Sequence, residues 1–204
     1  MTTTIVLLCS AAFAAGFIDA IVGGGGLVQT PAGLVLLPLL PVSTVIGTLK
    51  IPAFSGTALA AGQYIRKVKM EWKLVLLMMS LAFASAMVGS YCLSKAGNYF
   101  MKPFLLAILV IVAIYTYTKK DFGTHAEKEQ SPTRQLMYSI AASILLGFYD
   151  GFIGSGTGSF LVLVFITLLG FDFLRSSAHA KLVNLATNLG SILFLPVVDG
   201  SYFQ

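Results

Sequence analysis

The chain contains an internal duplication that keeps an acid, a glycine cluster and a lysine in the same order in both copies. Residues 16–25 have the sequence GFIDAIVGGG, and the related GFYDGFIGSG begins 131 positions later at residue 147. The same offset relates Lys50 to Lys181. Both sets lie in sequence apolar enough to span a membrane, where a charge is costly and normally marks a path for an ion or a substrate. Two such sets predict a transporter built from repeats.

The composition predicts a membrane protein with several spans. Hydrophobic residues make up 57% of the chain and charged residues only 10%, whereas a soluble domain has about 25% charged residues. A helix needs about 20 residues to cross the hydrocarbon layer. The long apolar runs are residues 5–22, 27–49, 74–93, 136–169 and 182–198. We therefore expect an all-α, polytopic membrane protein, multi-pass in the lipid bilayer.

The charges and the cysteines exclude several other classes. The net charge is +5, but the basic residues lie mainly between the apolar runs, at positions 66–73 and 119–134. This distribution is typical of cytoplasmic loops and does not indicate a nucleic-acid partner. Cys9 and Cys92 both fall within predicted spans, so neither a disulfide nor a metal site is expected. No motif indicates a cofactor. Residues 1–15 lack the basic start of a signal peptide, and we expect them to belong to the mature protein.

The repeat divides the chain into two units of opposite orientation. We assign residues 1–118 to the first unit, 119–134 to a cytoplasmic linker and 135–204 to the second unit. Equivalent loops of the two units have opposite charge character, which predicts inverted topology. The counterparts of residues 74–93 and 103–118 would fall beyond position 204, so the second unit is expected to be incomplete.

The two glycine clusters, at residues 23–26 and 154–158, are predicted to break membrane helices. Irregular backbone at membrane depth is tolerated only where protein or a water-filled cavity satisfies it. A helix that begins after such a break directs free N–H groups into the cavity, which suits an anion. The candidate backbone ligands are Gly24, Gly25, Ser155 and Gly156. The alternative is that the glycines only allow helices to pack closely.

The two lysines are the candidate ligands for the charge of an anionic substrate. Lys181 shares a helical face with Asn184 and Asn188, because these residues are three and seven positions further on. Lys50 has Pro52 and an alanine nearby instead, so the pocket is expected to be lopsided. The alternative is that each lysine extends to the membrane interface from near the start of its helix.

Asp19 and Asp150 are the candidate carriers of a coupling proton, because a carboxyl group in a low-dielectric environment can load and release a proton. The alternative is a structural role as a partner for a lysine or for the open backbone at a break. His179 is a candidate proton relay, although an isolated histidine is more often a hydrogen-bonded core residue.

Two functions from other classes compete with transport. Two buried aspartates could activate water in an intramembrane hydrolase, but the glycine-flanked partner motif of such enzymes is missing, so we do not expect an enzyme. The chain could also be a membrane scaffold that transports nothing. Proteolysis assays with aspartyl inhibitors test the first alternative, and anion binding by the purified protein tests the second.

The paired motifs resemble those of the TauE/SafE sulfite exporter family, and within it the YfcA-like branch. The resemblance rests on GFID before the first glycine cluster, on Lys50, on GFYDGF at residues 147–152 and on AHAKLVN at residues 178–184, and it covers the whole chain. It implies export or exchange of small sulfur-containing anions, such as sulfite or organosulfonates, across a bacterial inner membrane. Leu49 and Pro52 depart from the polar residues that relatives tend to carry there.

The expected partners of the chain are a small anionic substrate and the lipid bilayer. A second copy of the chain is a further candidate partner, in a homo-oligomer.

Overall fold

The computed structural model describes residues 2–22, 24–97 and 131–195, and it describes residues 101–114 except 102, 109, 112 and 113. All regular secondary structure in these residues is helical. Helices with assigned bounds are α1 (Thr2–Val22), α2 (Gly26–Leu36), α3 (Val42–Lys67), α4 (Trp72–Lys95), α5 (Pro132–Phe152), α6 (Thr157–Thr167) and α7 (Phe173–Ile192). Residues 103–108 are also helical. The all-α prediction is therefore confirmed, while most of the predicted linker and the end of the last predicted span lie outside the described residues.

The helices repeat with the same offset as the sequence. Helices α2 and α6 are both 11 residues long and begin at Gly26 and Thr157, which are 131 positions apart. Helices α3 and α7 begin at Val42 and Phe173, again 131 positions apart. The duplication therefore extends from motifs to secondary structure. The inverted orientation of the two units stays a prediction.

The breaks at the glycine clusters fall where the sequence predicted them. Helix α1 ends at Val22 and α2 begins at Gly26, while α5 ends at Phe152 and α6 begins at Thr157. In the second break the backbone at Gly154 and Gly156 has φ of +79°, which residues with a side chain rarely adopt. The apolar run 136–169 contains the second break, whereas the run 27–49 is divided by a turn between Leu36 and Val42 that the sequence analysis did not predict.

Small residues let α4 approach α5 closely. A side chain at Gly151 would collide with the carbonyl oxygen of Ala86, and one at Gly147 would lie 2.7 Å from that of Ala82. Membrane helices commonly associate in this way, because close backbone approach maximises packing where lipid supplies no hydrophobic drive. Helix α4 also packs against α7, so it holds the first unit against the second. Gly16, the counterpart of Gly147 on α1, faces open space.

The surface of the protein is apolar, unlike that of a water-soluble protein. Large apolar side chains point outward, among them Leu39, Phe13 and Leu59 at 94%, 80% and 73% exposure. Lys50, Lys181 and Asp150 are buried instead. Among the described residues, α3 and α4 are long and apolar enough to cross a membrane, and α2 and α6 are shorter apolar helices. An apolar exterior with the charged groups of the helices inside suits a lipid environment.

Candidate functional site

Lys50 is the ninth residue of α3 and is buried in the interior of the protein. Its Nζ atom donates to Oδ2 of Asp150 at 2.5 Å and to Oδ1 of Asn188 at 3.1 Å. Asp150 lies near the end of α5, just before the second break. The exposed fractions of the two charged side chains are 4% and 1%. This ion pair is therefore shielded from solvent, and the ammonium of Lys50 also donates a hydrogen bond to the neutral side chain of Asn188.

Lys181 is the ninth residue of α7 and makes the equivalent contact to the first unit. Its Nζ atom donates to the carbonyl oxygen of Asp19 at 3.0 Å and also pairs with Oδ2 of the same residue. The other carboxylate oxygen, Oδ1, accepts from the backbone N–H of Gly25 at 3.4 Å. The side chain of Asp19 is 27% exposed, whereas that of Lys181 is 7% exposed. Asp19 therefore satisfies part of the open backbone at the first break while it neutralises the lysine.

Each lysine is paired with the aspartate of the other unit. Lys50 of the first unit contacts Asp150 of the second unit, and Lys181 of the second unit contacts Asp19 of the first. A two-fold relation produces such reciprocal contacts, because residue i then meets residue j and j meets i. The described contacts fit the alternative in which each aspartate is the structural partner of a lysine. Burial of both lysines is inconsistent with extension to the membrane interface, and each lies two turns inside its helix instead of near its start.

A cavity of about 140 Å³ lies between the two breaks. Both Lys181 and Asp19 line it, whereas Lys50 and Asp150 do not. Lys50 borders a neighbouring space of only about 30 Å³, and Asn188 lines both spaces. The two lysine–aspartate pairs therefore differ in their access to the cavity. Asn188 was expected to support Lys181, but it is hydrogen-bonded to Lys50 and not to the lysine of its own helix. Close contact between α3 and α7 brings it there.

The start of α6 supplies neutral hydrogen-bonding groups to this cavity. Gly156, Thr157 and Gly158 line it, and the first turn of a helix has N–H groups without intrahelical partners. Oγ1 of Thr157 and Nδ2 of Asn188 are buried and have no hydrogen-bond partner among the described residues. A buried polar group without a partner is destabilising, so it is normally satisfied by a ligand or by water. The cavity thus combines a lysine, an amide donor and a helix N-terminus.

The other predicted ligands are distributed around the cavity. Gly25 and Asn184 line it, and the Oδ1 atom of Asn184 accepts from Thr187 at 3.4 Å. Ser155 does not line it, because its hydroxyl donates to Thr30 at 2.7 Å. Gly24 lies outside the lining as well, and a side chain there would approach Ser159. The backbone of each break is therefore shared between helix packing and the cavity.

His179 is not brought to the cavity. Its Nδ1 atom donates to the carbonyl oxygen of Arg175 at 2.7 Å, and its Nε2 atom accepts from the backbone N–H of Glu71 at 3.2 Å. Its ring lies 5.1 Å and 5.5 Å from those of Phe171 and Phe165. Both ring nitrogens are thus engaged, and these contacts correspond to the alternative of a hydrogen-bonded core histidine.

The ligands predicted from the sequence do not include Thr157 or Thr57, which both line the cavity, although Thr57 was noted as a polar residue near Lys50. Thr57 is the repeat counterpart of Asn188, and Thr157 follows the second glycine cluster directly. Extending the 131-residue comparison to polar residues after each lysine would have identified Thr57. Among the described residues no three histidine, cysteine, aspartate or glutamate side chains come together as a metal site.

Comparison with known proteins identifies a family. The family model described as "Sulfite exporter TauE/SafE" matches residues 8–203. A probable membrane transporter protein, ORF9, from Sinorhizobium sp is 34% identical over 92% of this chain and 70% of its own length. A probable membrane transporter protein from Haemophilus influenzae is 34% identical over 93% and 73%. The probable membrane transporter protein YfcA from Escherichia coli is 32% identical over 89% and 66%. No solved structure matches the chain.

Proposed function

The chain belongs to the sulfite exporter TauE/SafE family of membrane transporters, and from this premise we propose that it moves small anions, in particular sulfur oxyanions or organosulfonates, across a bacterial inner membrane. Its helices would cross the bilayer several times as two inverted units. Access to the central cavity would alternate between the two sides as one unit moves against the other.

The unpartnered donors around Lys181 carry this proposal. Asn188 of α7 and Thr157, the first residue of the 11-residue helix α6, line the same cavity as the lysine. Their Nδ2 and Oγ1 atoms are buried without a partner among the described residues. An anion between them would accept hydrogen bonds from the amide and the hydroxyl and would lie at the positive end of the α6 dipole. Among the described residues that line the cavity, Asp19 has the one carboxylate, and a cation would have to compete with Lys181 for it.

The size of the cavity limits the substrate to a small molecule. Pockets for drug-sized ligands have volumes of roughly 300–1,000 Å³, and this cavity has about 140 Å³. Part of its wall is apolar, from Ala12, Pro52 and Ala60. A compact oxyanion with a short apolar substituent, such as an alkanesulfonate, suits this combination of donors and alkyl groups.

An aspartyl hydrolase is less well supported by the geometry. Such an enzyme needs two carboxylates that share a proton and activate one water molecule. Here each carboxylate is bonded to a lysine instead. Only one of the two aspartates borders the cavity.

Anion binding to the purified protein tests the proposal. We expect sulfite, thiosulfate or a short alkanesulfonate to raise the unfolding temperature, because a ligand that binds only the folded state stabilises it. Lys181→Met should remove this shift. Lys73→Met is the matched control, because Lys73 is an exposed lysine of α4 that does not line the cavity. Equal shifts in both variants would refute the assigned site.

Binding alone leaves transport untested, so flux is measured in liposomes that contain the purified protein. Uptake of the bound anion should exceed that of protein-free liposomes and should be lost in Lys181→Met. Binding without flux would favour a scaffold over a transporter.

A further inference from the structure

The two lysine–aspartate pairs differ in their access to the cavity. The Lys50–Asp150 pair is sealed, with side-chain exposures of 4% and 1%, and it has no face on the large cavity. The Lys181–Asp19 pair lines that cavity, and the aspartate is 27% exposed. An entering anion can therefore reach Lys181 but not Lys50. Only one of the two pairs is placed to exchange its partners.

Charge neutrality constrains what happens when an anion reaches Lys181. The empty pair carries one positive and one negative charge, so its net charge is zero. A monovalent anion added to this pair would leave one uncompensated negative charge in a site of low dielectric, which is strongly unfavourable. Uptake of one proton by the carboxylate restores neutrality.

We infer that Asp19 couples anion binding to the uptake of one proton by yielding Lys181 to the anion. This inference rests on the proposed function. In the empty state the carboxylate of Asp19 holds the ammonium of Lys181. In the loaded state the ammonium pairs with the anion, and the carboxylate takes a proton from solution and becomes a neutral acid. No covalent bond other than the new O–H bond forms, and the site is neutral in both states.

Among the described residues, no charged side chain other than Lys181 is placed to pair with Asp19. Helices α2 and α6, which pack against α1, carry no charged residue. On α3 the nearest basic residue in the interior is Lys50, which is held by Asp150. On α7, Arg175 is paired with Glu71, away from the cavity. Lys181 is therefore the one charged side chain within the described residues that is bonded to Asp19.

A second hydrogen bond, from the backbone of Gly25, holds Asp19 at the cavity. Its Oδ1 atom accepts from the N–H of Gly25, at the break that precedes α2. This bond positions the carboxylate beside Lys181 independently of the ion pair. Asp19 can thus release the lysine without losing its place at the cavity.

Binding of methanesulfonate as a function of pH tests the inference, because this anion carries a single charge at all the pH values used. Where the empty site holds the carboxylate ionised and the loaded site holds it protonated, coupled uptake of one proton strengthens binding by up to tenfold for each unit that the pH falls. In Asp19→Asn the carboxyl group is gone, so binding should be independent of pH. Asp172→Asn is the matched control, because Asp172 caps α7 away from the cavity, and it should keep the pH dependence of the unmodified protein.

The outcomes separate this inference from the proposed function. Methanesulfonate binding that is independent of pH in the unmodified protein would overturn the coupling and leave the anion site intact. The same pH dependence in Asp19→Asn would also overturn it. No binding at any pH would overturn the anion site and the coupling together.

A second measurement uses only the unmodified protein, so it does not depend on whether a variant folds. In weakly buffered solution, a pH-sensitive dye should report uptake of one proton for each methanesulfonate bound by the unmodified protein. The absence of proton uptake during measurable binding would refute the coupling.

Discussion

Replacing Lys50 by methionine should destabilise the protein far more than the same replacement of Lys181. Without the ammonium, Asp150 remains as a carboxylate at 1% exposure with no cation beside it. Breaking a buried ion pair in this way typically costs 3–5 kcal/mol. Loss of the bond to Asn188 adds about 1 kcal/mol. We therefore expect Lys50→Met to lower the free energy of unfolding by about 4 kcal/mol or more.

The same change at Lys181 leaves an aspartate that solvent can reach. Asp19 is 27% exposed and keeps a hydrogen bond from Gly25, so its desolvation is partial. We expect Lys181→Met to cost about 2 kcal/mol, below the range for a fully buried pair, because solvent reaches the remaining carboxylate. Anion binding should be lost in this variant even though the protein stays folded.

Unfolding by denaturant in detergent micelles measures both variants. The fluorescence of Trp72, the single tryptophan of the chain, reports the transition at the start of α4. Adding Asp150→Asn to Lys50→Met removes the stranded charge and should recover about 2 kcal/mol or more. Equal losses of stability at the two lysines, or no recovery in the double variant, would refute the assignment of a sealed and an open pair.

Three further changes test other parts of the structure. Gly151→Ala should lower the free energy of unfolding by about 2 kcal/mol, because α4 and α5 must separate, whereas Gly16→Ala should be nearly neutral; unfolding of both in detergent checks this contrast. Thr157→Val should leave stability unchanged, since its hydroxyl has no protein partner, but should weaken anion binding by about tenfold in a titration. Asp172→Ala should cost about 1 kcal/mol by removing the cap of α7, without affecting the affinity for the anion.

Local sequence patterns predicted the elements of the fold well. The glycine clusters predicted both breaks, because consecutive glycines disfavour a helix and one break uses positive φ at two of them. The burial of both lysines and of Asp150 followed from their position in apolar sequence. The turn that divides the run 27–49 into α2 and α3 was not predicted, since hydropathy measures the affinity of a segment for lipid and does not detect a turn within it.

The partners of the site residues were less predictable. Asn188 was expected to support Lys181, because helical periodicity places the two on one face. In the structure it binds Lys50, which lies 138 positions earlier in the chain. Spacing within a helix predicts which residues share a face. It does not predict which residue of a neighbouring helix that face meets.

The sequence by itself determined that the chain is helical, that it is duplicated and that each copy carries an acid, a break and a lysine. These features follow from composition and from local backbone preference, which act over a few residues. The tertiary structure alone decided that each lysine pairs with the aspartate of the other unit, across 100 and 162 positions. It also decided that one pair is sealed and the other lines the cavity. Contacts over such distances depend on how whole helices pack, and the same local sequence is compatible with several packings.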